Sequence, residues 1–148
     1  MSLFQRIEKD FVAAFKAKRT EEVAVLRMLK AAIKNKEVDV RRALSDAEVL
    51  EVVAKQVKQR QESIEQFRTA GRTDLVDAEE RELRILQAYL PQPLTEAELA
   101  AVVEETIQAT GATSMKDMGR VMQAILSAHA GRVDGKVASA LVRARLSA

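Results

Sequence analysis

The chain contains no cysteine. Disulfide scaffolds, thiolate metal sites and cysteine nucleophiles are therefore excluded, and the composition suits a reducing compartment, with the cytoplasm as the default expectation. Aromatic residues are scarce, at four Phe, one Tyr and no Trp. So little π surface gives no reason to expect exposed stacking platforms, which counts against sequence-specific reading of single-stranded nucleic acid. Five Gly and two Pro leave little material for hairpins. No apolar run approaches the about 18 residues that a membrane span requires, and the opening MSLFQRIEKDFVAAFK scatters acids and bases throughout. Neither an export signal nor a membrane partner is expected. Neither charge sign dominates: 24 Lys and Arg stand against 22 Asp and Glu, for a net charge of +2. Attraction to nucleic acid would have to come from how the charge is placed.

What the chain does have is 47% hydrophobic and 31% charged residues, a globular composition rich in strong helix formers, which points to an all-α fold. Start signals agree. SDAE (Ser45 to Glu48), TEAE (Thr95 to Glu98) and SMKD (Ser114 to Asp117) each set a hydroxyl at a helix start with an acid three residues on. Gly71, Gly111 and Gly131 fall where periodic segments stop, as left-handed C-terminal residues would. The pattern predicts seven helices, at about 2–18, 20–37, 46–70, 74–89, 95–110, 115–130 and 135–147. Both prolines stand in YLPQPLT, where each removes a donor and turns its predecessor out of helical geometry. This predicts an N-terminal bundle of about four helices over 1–90, a linker at 91–94 and a small three-helix domain over 95–148. In that domain the apolar positions at helical spacing are Leu99, Val102 and Val103, then Val121 and Ile125, then Val137 and Leu141.

The residues offer no catalytic constellation. His129 is the only histidine, and in the last turn of a helix it suits the helix dipole better than catalysis or metal ligation. Glu79, Glu80 and Glu82 lie among Arg81 and Arg84, as on a solvated face laced by ion pairs along one helix. GRVDGKV (Gly131 to Val137) has glycines but not a phosphate loop: the glycine spacing is one residue short, Val137 stands where a magnesium-holding hydroxyl is needed, and no strand precedes it. No catalytic residue, cofactor or metal is expected.

What remains is a distribution of cations. Arg27, Lys30 and Lys34 recur at i, i+3 and i+7 and share one helical face, which reads as an ordinary solvated face or as a secondary basic surface. Arg60, counted with that secondary basic surface, falls on the apolar stripe of Val53, Val57, Ile64 and Phe67, so it needs either an internal carboxylate or an anion in an exposed groove. From Thr106 onward six bases (Lys116, Arg120, Arg132, Lys136, Arg143, Arg145) stand against Asp117 and Asp134. At the corner, Asp134 can cap the last helix and Gly131 can turn the chain, while the helix start flanked by Arg132 and Lys136 offers free N–H groups to an anion. The RNA-binding candidates are Lys116, Arg120, Arg132, Lys136 and Arg143, in backbone contact without base reading.

The stretches MSLFQRIEKDFVAAFKAKRTEEVAVLRMLKAAIKN, KQRQESIEQFRTAGRTDL, YLPQPL and SMKDMGRVM with GRVDGKVAS together resemble the GatB/YqeY family, specifically its stand-alone YqeY-like members. Gly119-Arg120-Val121-Met122 and Gly131-Arg132-Val133-Asp134 are similar to the tail domain of GatB, the subunit of the glutamine-dependent amidotransferase that acts on mischarged tRNA. The resemblance implies an all-helical protein with a small C-terminal helical domain, a role in holding tRNA, and an association with carbon–nitrogen ligase chemistry using glutamine as amide donor. That chemistry needs a glutaminase nucleophile and an ATP and metal site, which these residues do not assemble. The resulting reading is an accessory tRNA-binding module without catalysis of its own. A protein-interaction helical module is the second reading, and a non-catalytic component of an amidotransferase complex the third, with an amidotransferase or synthetase as protein partner.

Overall fold

Hydroxyl side chains start four of the chain's helical segments. Ser2, Ser45, Thr95 and Ser114 each accept a backbone N–H of the first turn while the residue three positions on bonds back to the cap. Three of these follow from the Ser/Thr-to-acid spacing; the fourth pairs Ser2 with Gln5. The computed structural model describes residues 1–148. It is all-helical, with α1 (Leu3–Lys16), α2 (Thr20–Val40), α3 (Asp46–Thr69), α4 (Thr73–Gln87), α5 (Glu96–Thr110), a 3-10 turn (Met115–Asp117) that leads into α6 (Met118–Ala128), and α7 (Gly135–Leu146).

Gly71, Gly111 and Gly131 adopt φ of 71°, 68° and 75°. Two further left-handed positions carry no glycine: Lys18 (φ 58°) turns the chain between α1 and α2, and Arg41 (φ 60°) ends α2. With no glycine to mark that stop, α2 runs three residues beyond its expected end.

The chain divides into two compact units, Met1–Leu90 and Pro91–Ala148. In the first, Ile7 of α1, Val25, Leu26, Leu29 and Ile33 of α2, Val49, Val53 and Val57 of α3 and Leu86 of α4 close one core. Tyr89 seals its edge. Its hydroxyl donates to Asp10 Oδ2 at 2.6 Å and the Arg6 guanidinium lies 4.9 Å from the ring centroid. Burial, then the Asp10 carboxylate, pushes the Tyr89 phenol above its ordinary range.

In the second unit, Leu99, Val103 and Ile107 of α5 meet Val121 and Ile125 of α6 and Ala138, Val142 and Leu146 of α7. The phase of α7 corrects the sequence reading: Val137 is exposed and Leu141 only half-buried, and the stripe one residue later is the buried one.

Candidate nucleic-acid interface

The corner between α6 and α7 is held by its own residues. Gly131 makes the left-handed turn, and Asp134 accepts the Lys136 N–H at 2.8 Å as the cap of α7. The anion at this helix start is therefore the Asp134 carboxylate, a cap worth about 1 kcal/mol. Arg132 is half-buried and faces the proline segment: its Nε donates to the Gln92 carbonyl at 2.8 Å and its carbonyl accepts the Leu94 N–H at 3.0 Å. It also adds to the depression of the Glu98 carboxyl, which is led by hydrogen bonds from the Thr95 cap.

Arg120 is paired as well. Its Nη2 lies 3.2 Å from Asp117 Oδ1, in a carboxylate whose affinity for protons is lowered first by the Thr113 and Ser114 N–H groups and also by Arg120. Arg145 forks onto Glu104 at 2.6 and 2.7 Å, holding that carboxyl below its ordinary range. The excess of bases expected after Thr106 is thus reduced from outside the counted stretch, because packing of α5 on α7 brings Glu104 to the last helix.

Lys116, Lys136 and Arg143 remain exposed, and none takes part in the ion pairs of this unit. They do not form one pocket. Lys116 and Arg120 flank the start of α6, while Arg132 and Lys136 lie past its end, about 16 Å away for an eleven-residue helix. Arg143 stands seven residues along α7 from Lys136, about 10 Å. Charges at such spacings suit an extended polyanion better than a single phosphate ion.

In the first unit, Arg60 has the internal partners that its place on the apolar stripe requires. Its Nη1 lies 2.5 Å from Glu82 Oε2 and 3.3 Å from Glu79 Oε2, and its side chain is only 12% exposed. Arg60 therefore joins α3 to α4 and leaves the secondary basic face. The α4 acids and bases look outward from their own helix in the same way: Glu80 meets Arg68, and Arg81 takes Glu21 of α2 at 3.0 Å. The solvated face with pairs along one helix is replaced by cross-helix pairing.

Arg27, Lys30 and Lys34 do share a face of α2, laid over aromatic rings of α1. Lys30 Nζ is 4.5 Å and Arg27 Cζ 5.7 Å from the Phe11 centroid, and Lys34 Nζ is 4.7 Å from that of Phe4. Phe15, stacked on Phe11 at 6.4 Å, is 62% exposed. The scarcity of aromatics hid this surface. Its signal was their placement, since Phe4, Phe11 and Phe15 recur at i, i+7 and i+11 of one helix.

The pattern of YqeY-like proteins matches residues 4–146. The chain belongs to the YqeY-like family. Among similar proteins is "Altered inheritance of mitochondria protein 41, mitochondrial" of Pyrenophora tritici-repentis, 29% identical over 90% of this chain and 75% of that protein. Proteins of the same name from Eremothecium gossypii and Lachancea thermotolerans are 38% and 36% identical over 62% and 68% of this chain. The chain spans 51% and 56% of those two relatives. All three are named as mitochondrial, which overturns the cytoplasmic placement expected from composition. The physical reason is that a lack of cysteine does not tell one reducing compartment from another.

Proposed function

We propose that this YqeY-like chain is an accessory RNA-binding module whose second unit, related to the amidotransferase tail, grips the phosphate backbone of folded tRNA. The observation that carries the reading is the set of exposed cations without any side-chain or backbone partner, Lys116, Lys136 and Arg143, left over after Arg120 and Arg145 have paired with Asp117 and Glu104 and Arg132 has bonded the Gln92 carbonyl. Spread across the ends of α6 and along α7, they suit a backbone contact that positions RNA without reading its bases. The corner itself is a structural joint. The contact is supplied by the cations around it.

A second reading, a protein-interaction module, has its own support in the exposed apolar side chains Met115, Leu126 and Val137 of the same unit. Participation in an amidotransferase complex, without a catalytic role for this chain, would build on either surface. Titrating the full chain into several folded tRNA transcripts by fluorescence anisotropy separates the readings. Binding of similar strength to all transcripts that weakens steeply with salt is expected for backbone contact. No binding to any transcript at low salt would leave the protein-interaction reading in its place.

A further inference from the structure

The first unit carries a second surface of different chemistry. Along α1, Phe4, Phe11 and Phe15 form one stripe, and α2 lays Arg27, Lys30 and Lys34 against the first two rings. Phe11 and Phe4 are half-buried under these cations, whereas the Phe15 ring is 62% exposed beside them. Arg27 and Lys30 make no ion pair; Lys34 shares Glu37 at 3.3 Å. Lys18, in the turn that follows Phe15, is also exposed and unpaired. The acids near this face are Glu8 on the α1 stripe and Glu37, which pairs with Lys34. The surface is cationic around one open aromatic ring.

A partner that covers an exposed ring does so best with an apolar or π surface, and one that covers unpaired cations does so with negative charge. One class of partner answers both needs with one chain, because it alternates planar π groups with negative charges: an unpaired stretch of nucleic acid. We propose that the α1–α2 face binds single-stranded RNA, with a base stacked on Phe15 and the adjoining phosphates on Arg27 and Lys30. Stacking of this kind tolerates any base, so it does not require the sequence-specific reading that the scarcity of aromatics excludes.

Two other occupants fit less well. A membrane-binding helix needs a broad apolar face free to enter lipid. On α1, Ile7 and Ala14 are spent on the core and Phe4 and Phe11 lie beneath cations, which leaves Phe15 and Val12. A second copy docked through a twofold axis would bring the same unpaired cations of both chains to one interface. The proposal rests on the RNA reading above for the class of partner, and on a different unit for its residues.

The test uses the full chain and a labelled oligouridylate of about 12 nucleotides, within the usual range of single-strand site sizes, alongside the same sugar–phosphate chain lacking bases. Phe15→Ala should weaken binding to oligouridylate about tenfold and leave the abasic strand unaffected. Arg27→Gln with Lys30→Gln should weaken both and flatten the log–log salt dependence by about 1.4 units, at about 0.7 per single-strand contact. Because all three side chains lie outside the core, helicity by circular dichroism should be unchanged in both variants. The proposal is overturned if Phe15→Ala binds oligouridylate as the parent does. It is equally overturned if Phe15 governs binding to phosphatidylserine vesicles or self-association while oligouridylate does not bind. Parallel titration of a folded tRNA with Lys116→Gln, Lys136→Gln and Arg143→Gln separates the two proposals. Phe15-dependent oligouridylate binding that survives this triple change supports the α1–α2 face whatever becomes of the tRNA site. Binding of tRNA without binding of oligouridylate removes the face alone.

Discussion

Arg132 Nε donates to the carbonyl of Gln92 at 2.8 Å, across forty positions of sequence, and so ties the proline segment to the corner between α6 and α7. A hydrogen bond from a charged donor contributes more than one from a neutral donor, even at an exposed carbonyl such as that of Gln92. Arg132→Ala is expected to destabilise the second unit by about 1–2 kcal/mol and to speed amide exchange at Leu94, whose N–H rests on the Arg132 carbonyl. Thermal melting and hydrogen exchange check this. The salt dependence of RNA binding should change less than on loss of Lys136, because the Arg132 side chain is held against the Gln92 carbonyl.

Arg60 provides a similar contrast in the first unit. Removing it strands Glu79 and Glu82 against α3 with their charges uncompensated. Arg60→Ala should lower the urea midpoint in proportion to about 2 kcal/mol, less than a fully buried pair would cost because both carboxylates keep some contact with water. Arg27→Ala, which loses only the exposed contact with the Phe11 ring, should cost no more than about 0.5–1 kcal/mol. Equal effects of the two substitutions would place Arg60 on the surface.

Acid should loosen the turn between α2 and α3. Arg42 bonds Glu48 at 2.7 and 2.9 Å, and this fork, followed by the Ser45 N–H, holds the Glu48 carboxyl down at about 2. With the folded value below the unfolded one, near 4.5, the carboxylate's contribution is complete above the unfolded value. It is lost as pH falls from there through about 2. Carbon-13 titration of Glu48 should show the low midpoint, and Arg42→Gln should move it upward. A midpoint unaffected by that substitution would mean that the fork is absent in solution.

Most of the fold was legible because capping and termination are local. Ser45, Thr95 and Ser114 announced their helices, and Gly71, Gly111 and Gly131 announced the stops. Where the backbone turned left-handed without glycine, at Lys18 and Arg41, the sequence held no sign. The phase of α7 was lost for a related reason. Val137 with Leu141 and Ala138 with Val142 are stripes one residue apart, and only Leu146, in step with the second, favours the buried one.

The site was less legible because ion pairing is a property of packing. Counting bases from Thr106 onward passed over Glu104, which α5 delivers to Arg145, and no spacing in the sequence reveals that Arg132 turns toward Gln92. Arg60 could be recognised as needing a partner but not assigned one, since Glu79 and Glu82 reach it only when α4 folds back on α3.

The two cores predict that the units are separable. Each has its own set of buried apolar side chains, and the Arg132 latch assigns the proline segment to the second. Separate expression of Met1–Leu90 and Pro91–Ala148 should give two fragments with helical circular dichroism and cooperative melts. A fragment without a cooperative melt would mean that its core needs the other unit.

The most direct test of the central claim is the salt dependence of binding to a folded tRNA, measured for the parent chain and for the combined Lys116→Gln, Lys136→Gln and Arg143→Gln variant between about 50 and about 200 mM salt. If these three unpaired cations contact phosphates, the variant should bind more weakly to every tRNA tried, and the log–log slope should flatten by about two to three units. Its melting temperature should match the parent's, since none of the three side chains takes part in the ion pairs of the second unit. A variant that keeps the parent's affinity and slope would contradict phosphate contact by this unit.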